Sequence, residues 1–197
     1  MSDDILLNIL NRDAKYVNSR VNLDILEGAD VTITGATGLV GLNIICALNY
    51  YNNNNAKQRI NINALSYSKP IGVIKKVFEE NCVNSISGDL SDCSFIKKLP
   101  LSDCIIHSAG YGQPGKFLDD KLKTISINTS ATISLSKKLK KEGRFLFLSS
   151  SEVYSGCTSK ENIESDIGTT APNHARSCYI EGKRSGEAVI NVLRDKG

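Results

Sequence analysis

Eight consecutive residues, Thr34-Gly35-Ala36-Thr37-Gly38-Leu39-Val40-Gly41, restrict this chain more than any other stretch. They follow a short β-rich run, Val31-Thr32-Ile33-Thr34, and open an apolar segment from Leu39 to Tyr51 that reads as a helix. Between a strand and a helix, three glycines at this spacing have separate duties. Gly35 allows a tight turn, Gly38 lets the backbone approach a pyrophosphate, and Gly41 lets the helix pack closely on the strand. The helix start, with Thr37, Leu39 and Val40 in its turn, offers free N–H groups and partial positive charge to phosphate. The expectation is a dinucleotide site.

The rest of the chain alternates in the way such a site requires. Residues 5–27 carry apolar positions at helical spacing, with Ile5, Leu6, Ile9 and Leu10 leading, and are read as a helical extension packed on the domain. After the first strand and its helix, closed by Asn52-Asn53-Asn54-Asn55, come a strand at Ile60–Ser66 and a helix at Ile71–Glu80. A third strand at Ser85-Ile86-Ser87 runs into Gly88-Asp89-Leu90, and Cys104-Ile105-Ile106-His107 is a fourth. A long helix is expected over 118–142, a fifth strand at 144–148, and a last helix from about Cys178. Strands separated by helices pair in parallel through right-handed crossovers. The prediction is an α/β fold of the doubly wound Rossmann type, strand order 3-2-1-4-5, with residues 1–28 as the extension and 29–197 as the domain.

Composition narrows the partners. With 24 Lys and Arg against 21 Asp and Glu, a formal charge of +3 is too small to argue for nucleic acid or an anionic membrane. No apolar stretch reaches the ~20 residues of a spanning helix, and the acidic start Met1-Ser2-Asp3-Asp4 is unlike a secretory leader. A cytoplasmic protein is expected. The six cysteines (46, 82, 93, 104, 157 and 178) form no Cys-x-x-Cys pair, and there are two histidines, so no metal site is expected. The cysteines are read as structural thiols.

Chemistry enters near the C-terminal end. Tyr179-Ile180-Glu181-Gly182-Lys183 places a phenol and an ammonium four residues apart, on one face of a helix. A tyrosine of pKa ~10 is a poor base at neutral pH, and a nearby ammonium favours its phenolate. Ser149-Ser150-Ser151-Glu152-Val153-Tyr154 ends the fifth strand, where open α/β sheets hold their ligands.

Taken together, these motifs resemble the extended short-chain dehydrogenases/reductases, the NAD-dependent epimerase/dehydratase family. The Gly-x-x-Gly-x-x-Gly spacing is theirs, and Asp89-Leu90 is similar to the pair that contacts adenine. His107-Ser108-Ala109-Gly110 stands where the family has His-x-Ala-Ala, and Asn128 lies on the following helix as in the family pattern. The resemblance implies that these residues, with Tyr179 and Lys183, hold NAD. The second strand ends Ala64-Leu65-Ser66-Tyr67-Ser68-Lys69 without the acid that usually bonds the adenine ribose, so NADP stays open.

Ser151–Tyr154 and Arg176–Arg184 resemble nucleotide-sugar enzymes of the UDP-glucuronate decarboxylase and dTDP-glucose 4,6-dehydratase type. Matching their motifs, Ser150 bonds the substrate oxygen being oxidised and Glu152 is a second acid/base group. Ser151 stands where the dehydratases carry an Asp, and Ser155 replaces a usual glycine. The implied reaction oxidises a nucleotide-sugar at C4 and proceeds through a 4-keto sugar to decarboxylation, elimination or epimerisation. Family members run well beyond this length, so residues 1–197 are expected to lack a substrate domain and to be inactive alone. The resemblance also implies a homodimer, with Leu122, Ile125, Ile133, Ala188 and Val192 as contacts or, alternatively, as core. A compact NAD(P) reductase and a non-catalytic dinucleotide-binding regulator are the other readings.

Overall fold

The computed structural model describes residues 3–195. In chain order the elements are α1 (Asp3–Asn18), a 3-10 turn (Asp24–Leu26), β1 (Asp30–Thr34), α2 (Leu39–Asn54), β2 (Asn61–Ser66) and α3 (Gly72–Glu80). There follow β3 (Asn84–Ser87), α4 (Cys93–Lys97), β4 (Ser102–His107), α5 (Pro114–Asp119), α6 (Lys121–Asn128) and α7 (Ser130–Ser136). β5 (Leu139–Phe147), a second 3-10 turn (Ser151–Tyr154) and α8 (Ser177–Arg194) complete it. The five strands form one sheet in the order β3-β2-β1-β4-β5, the expected doubly wound arrangement. β1 pairs in parallel with β2 (Val31 opposite Ile62) and with β4 (Val31 opposite Cys104), and β2 pairs with β3.

The chain divides into two compact units. The first holds the residues up to Asp89, with Leu99–Ala109 and Lys138–Leu146; the second holds Leu90–Lys98, Gly110–Lys137 and the residues from Phe147 onward. In the first unit, Val31 and Ile33 of β1 are fully buried in a core with Ile45 and Leu48 of α2, Ile62 and Ala64 of β2, and Phe78 of α3. α1 joins this core through Leu10 and Ala14, and the Asn18 amide donates to Ala14 O and Ala47 O, both at 2.9 Å. Tyr51 donates to Asp24 (2.7 Å) and Glu27 (3.0 Å), tying the 3-10 turn to α2.

Several boundaries differ from the sequence reading for visible reasons. The N-terminal helix ends at Asn18, whose side chain is spent on carbonyls, and not near residue 27. α2 runs through Asn52, Asn53 and Asn54. Asn52 exchanges two hydrogen bonds with the Ile60 backbone (2.9 and 2.8 Å), so its carboxamide anchors the helix end to the next strand and does not stop the helix. The expected helix over 118–142 is three short helices and the start of a strand. Asp120 leaves helical geometry (φ −133°, ψ 83°) and caps α6 by accepting from Lys123 N at 3.0 Å. Thr129 (φ −114°, ψ −80°) separates α6 from α7. Pairing begins already at Lys138, whose carbonyl accepts from Ser102 N at 2.9 Å. α4 escaped the sequence reading. Asp92 caps it, accepting from Ser94 N (2.7 Å) and Ser94 Oγ (2.8 Å), and these bonds hold its carboxyl below the usual range.

Candidate functional site

The glycine turn is built from the end of β1 outward. Gly35 has φ +66°, and a Cβ there would lie 2.8 Å from both Ala109 N and Ser108 O, so only glycine fits where β1 passes the end of β4. That end is braced by side chains. Ser108 Oγ donates to Thr34 O at 2.5 Å, Ala109 N donates to Thr34 Oγ1 at 3.0 Å, and Thr34 Oγ1 bonds His107 Nδ1 at 2.7 Å. His107 is fully buried, edge-on to Phe145. The expected His107-Ser108-Ala109 segment is therefore part of what fixes the turn's shape.

Gly41 lies under the turn, where a Cβ would meet Gly35 O and the Ala36 Cα. Gly38 is different. It is exposed, caps α2 in extended geometry, and a Cβ on it would meet only Gly35 O, at 3.2 Å. Thr37, Leu39 and Val40 beside it are exposed too, Leu39 to 82%. First-turn N–H groups of a helix have no intrahelical acceptor, so the start of α2 is an open donor set of the kind a pyrophosphate fits. At the neighbouring strand ends, Gly88 N donates to Ser66 O at 3.0 Å, which sets the half-buried Asp89 one residue beyond. Leu90, half-buried, begins the second unit. Lys69 is exposed, and 64–69 contains no carboxylate.

The second unit holds the other predicted residues. Tyr179 and Lys183 lie on α8, and Lys183 is 5% exposed. Its Nζ donates to Leu148 O at 2.7 Å and sits over the Phe147 ring at 4.7 Å, with the Tyr179 ring centroid 5.9 Å away. Burial pushes the ammonium down to about 8, opposed by the Glu187 carboxylate. Ser150 caps the 3-10 turn, its Oγ accepting from Glu152 N at 3.2 Å, so the hydroxyl proton is still available to donate. Glu152 forms an ion pair with Arg176, the residue that caps α8. Arg184 ties the same loop to α8, donating to Val153 O and Ser155 O, both at 2.9 Å. Ser155 takes the family's glycine position without strain (φ −56°).

Asn128 ends α6 fully buried. Its amide donates to Thr124 O at 2.8 Å, and its Oδ1 has no hydrogen-bond partner among the described residues. Gly182 of α8 packs on it, a Cβ there coming to 3.4 Å. A cavity of about 320 Å³ opens beside Ser151, Glu152, Tyr154, Cys157, Asn162, His174 and Arg176. The structure thus joins Tyr179 to Lys183, Ser150 to Glu152, and Glu152 to Arg176 within this unit. The glycine turn and Asp89 belong to the other. The sequence alone gives no role to Thr34 or Arg176, which it places in motifs, and does not single out Phe117. Arg176 carried a signal, lying three residues before Tyr179; Phe117 carried none.

Among the described residues no cluster of His, Cys, Asp or Glu has the makings of a metal site, and no helix is long and apolar enough to cross a membrane. Residues 31–197 match the family described as "NAD dependent epimerase/dehydratase family". The chain belongs to that family. Among relatives, UDP-glucuronic acid decarboxylase 2 of Arabidopsis thaliana is 27% identical over 171 residues, covering 83% of this chain and 35% of the relative. Among solved structures, the UDP-Glc/GlcNAc 4-epimerase of Campylobacter jejuni superposes with a TM-score of 0.65 at 20% identity, covering 83% of this chain and 48% of that one. The UDP-glucose 4-epimerase of Bifidobacterium longum, solved with NAD+ and UDP, gives 0.64 at 20% identity, covering 85% and 49%. Similarity at this level shows the shared epimerase/dehydratase fold. The chain spans about a third of that decarboxylase and about half of each epimerase.

Proposed function

We propose that this epimerase/dehydratase family chain binds NAD and carries the groups that oxidise a nucleotide-sugar at C4 in the complete gene product, with a UDP-linked hexuronic acid as the first substrate to try. The observation that carries the reading is the Tyr179–Lys183 pair on α8, its ammonium bonded to Leu148 O, two residues before Ser150. Residues 29–197 act as the dinucleotide-binding domain, with 1–28 as an added helical cover. The start of α2, from Gly35 to Gly41, holds the pyrophosphate, and Asp89 and Leu90 receive the adenosine end. His107, Ser108 and Ala109 complete the cradle within the first unit, and the family resemblance assigns Asn128 of the second unit to the same cofactor. Bound NAD supplies the hydride acceptor.

The protein's own residues handle the proton. Ser150 donates its hydroxyl hydrogen to the sugar oxygen while its Oγ stays fixed by Glu152 N. Tyr179 takes the proton from the C4 hydroxyl, with the Lys183 ammonium, charged below about pH 8, 5.9 Å from its ring centroid. Glu152, aimed by Arg176, is the second acid/base group. The resulting 4-keto sugar stabilises carbanion character next to its carbonyl. A uronic acid can then lose CO2, which is the lyase outcome; epimerisation is the isomerase alternative, supported by the structural neighbours. Dehydration is disfavoured because Ser151, a poor acid, stands at the position of an expelling carboxyl group.

The exposed apolar residues Leu122, Ile125, Ile133 and Val192 support a homodimer through α6, α7 and α8. The six free thiols fit a reducing, cytoplasmic setting. Mass spectrometry of products from the complete gene product with UDP-, dTDP- and GDP-sugars tests the substrate class. A UDP-pentose formed from UDP-glucuronic acid is expected. No conversion of any nucleotide-sugar in the panel would sink the proposal.

A further inference from the structure

Phe117 of α5 lies face to face with Tyr179, ring centroids 4.7 Å apart and planes inclined by 11°. The Phe117 ring is itself held. It is 1% exposed, and its carbonyl accepts from Thr124 Oγ1 at 3.1 Å and from Cys178 Sγ at 3.6 Å. Arg176 lies over it, guanidinium carbon 5.4 Å from the centroid, and is anchored in turn by Glu152. Three groups of the proposed site, Glu152, Arg176 and Tyr179, therefore meet through one buried ring that has no proton to exchange.

We propose that Phe117 is a positioning residue that fixes the plane of the Tyr179 ring, with Arg176 as its brace. The proposal rests on the reading of Tyr179 as the base and deepens it. A phenol oxygen swings through a wide arc when its ring rotates about Cα–Cβ. Proton abstraction demands that this oxygen stay within hydrogen-bond reach of the sugar hydroxyl. A flat partner of matching shape restricts that arc more tightly than an aliphatic side chain of similar volume, because parallel rings resist tilting and sliding. The guanidinium over Phe117 lowers the freedom of the ring that does the restricting.

The test uses the complete gene product carrying Phe117→Leu, Phe117→Tyr and, as reference, Tyr179→Phe. Reduction of bound NAD by UDP-glucuronic acid is followed in single turnovers, and the Tyr179 ring resonances are assigned by their absence in Tyr179→Phe. Phe117→Leu is expected to slow the hydride step roughly tenfold to a hundredfold, with KM for the sugar and affinity for NAD unchanged. The upfield ring-current displacement of the Tyr179 resonances should be lost. Phe117→Tyr, which restores the flat ring, should keep both rate and displacement. A Phe117→Leu protein with wild-type rate, a Phe117→Tyr protein as slow as Phe117→Leu, or unmoved Tyr179 resonances overturns the proposal while leaving the base assignment intact. Failure of the wild type to reduce NAD overturns the functional reading instead, and the resonance comparison then decides the positioning role. Should Phe117→Leu not fold, Phe117→Met fills the space without a flat face and carries the same expectations.

Discussion

Gly38 and Lys183 show how single residues divide the labour between shape and charge. Gly38 is the least crowded glycine of the turn: a Cβ there meets Gly35 O at 3.2 Å, a tight contact the turn must ease by a few tenths of an ångström, and the rest of a larger side chain intrudes on the ligand. Gly38→Val is expected to lower the thermal transition modestly, through the tight Gly35 O contact and the poorer cap, and to abolish NAD binding in a calorimetric titration of the folded variant. Unchanged affinity would show that the pyrophosphate does not rest on this turn. Lys183 is the opposite case, a buried charge whose cost is paid within the fold. Its ammonium is pushed from 10.5 down to about 8, a change worth roughly 3 kcal/mol. Between those values the unfolded chain binds the proton that the native one has lost, so stability rises with pH across this window and the full cost is carried below about pH 8. Catalysis runs the other way, falling as the ammonium deprotonates above about pH 8. Urea denaturation across pH 7 to 10 should show the rise in wild type and its loss in Lys183→Met. A flat wild-type profile contradicts the assigned burial.

At the scale of elements, close contacts decide what each helix tolerates. Gly186 of α8 faces Phe147, where a Cβ would lie 2.8 Å from Cε1, nearer than real Cβ atoms approach. Gly186→Ala is expected to destabilise by about 1–3 kcal/mol in urea denaturation, since the half-buried Phe147 ring must shift from its place against α8; a neutral substitution would show that α8 can slide away. Burial and alternation also explain what was legible beforehand. The strands were readable because their apolar faces alternate or run continuously, as in Val31 and Ile33, and because glycine punctuates the turn. The 118–142 stretch was not, because Asp120 and Thr129 break it through backbone angles and capping bonds that leave the apolar spacing helical on either side. The same division holds in the site. Tyr179 and Lys183 stood out by type and spacing, and Ser150 and Glu152 through the resemblance to the family's motif, whereas Phe117 and the Arg176–Glu152 pair arise from tertiary contacts between segments distant in sequence.

For the whole molecule, two statements remain to be tested. The first concerns assembly. Ile133, Val192 and Leu193 line an apolar groove of about 450 Å³, and Leu122 is 82% exposed on α6. These side chains lie outside the core of their unit, so the dimer accounts for them better than core packing does. Light scattering should give a dimer that Leu122→Lys with Val192→Lys converts to monomer; a monomeric wild type at high concentration rejects the interface. The second concerns the chemistry. UDP-glucuronic acid carrying deuterium at C4 is incubated with the complete gene product and NAD, and the product is weighed by mass spectrometry. Oxidation at C4 followed by return of the same hydride predicts a decarboxylated UDP-sugar that retains its deuterium, and no product with Tyr179→Phe. Product formed at an undiminished rate by Tyr179→Phe, or no product from the wild type, would contradict the assignment of this chain to C4 oxidation.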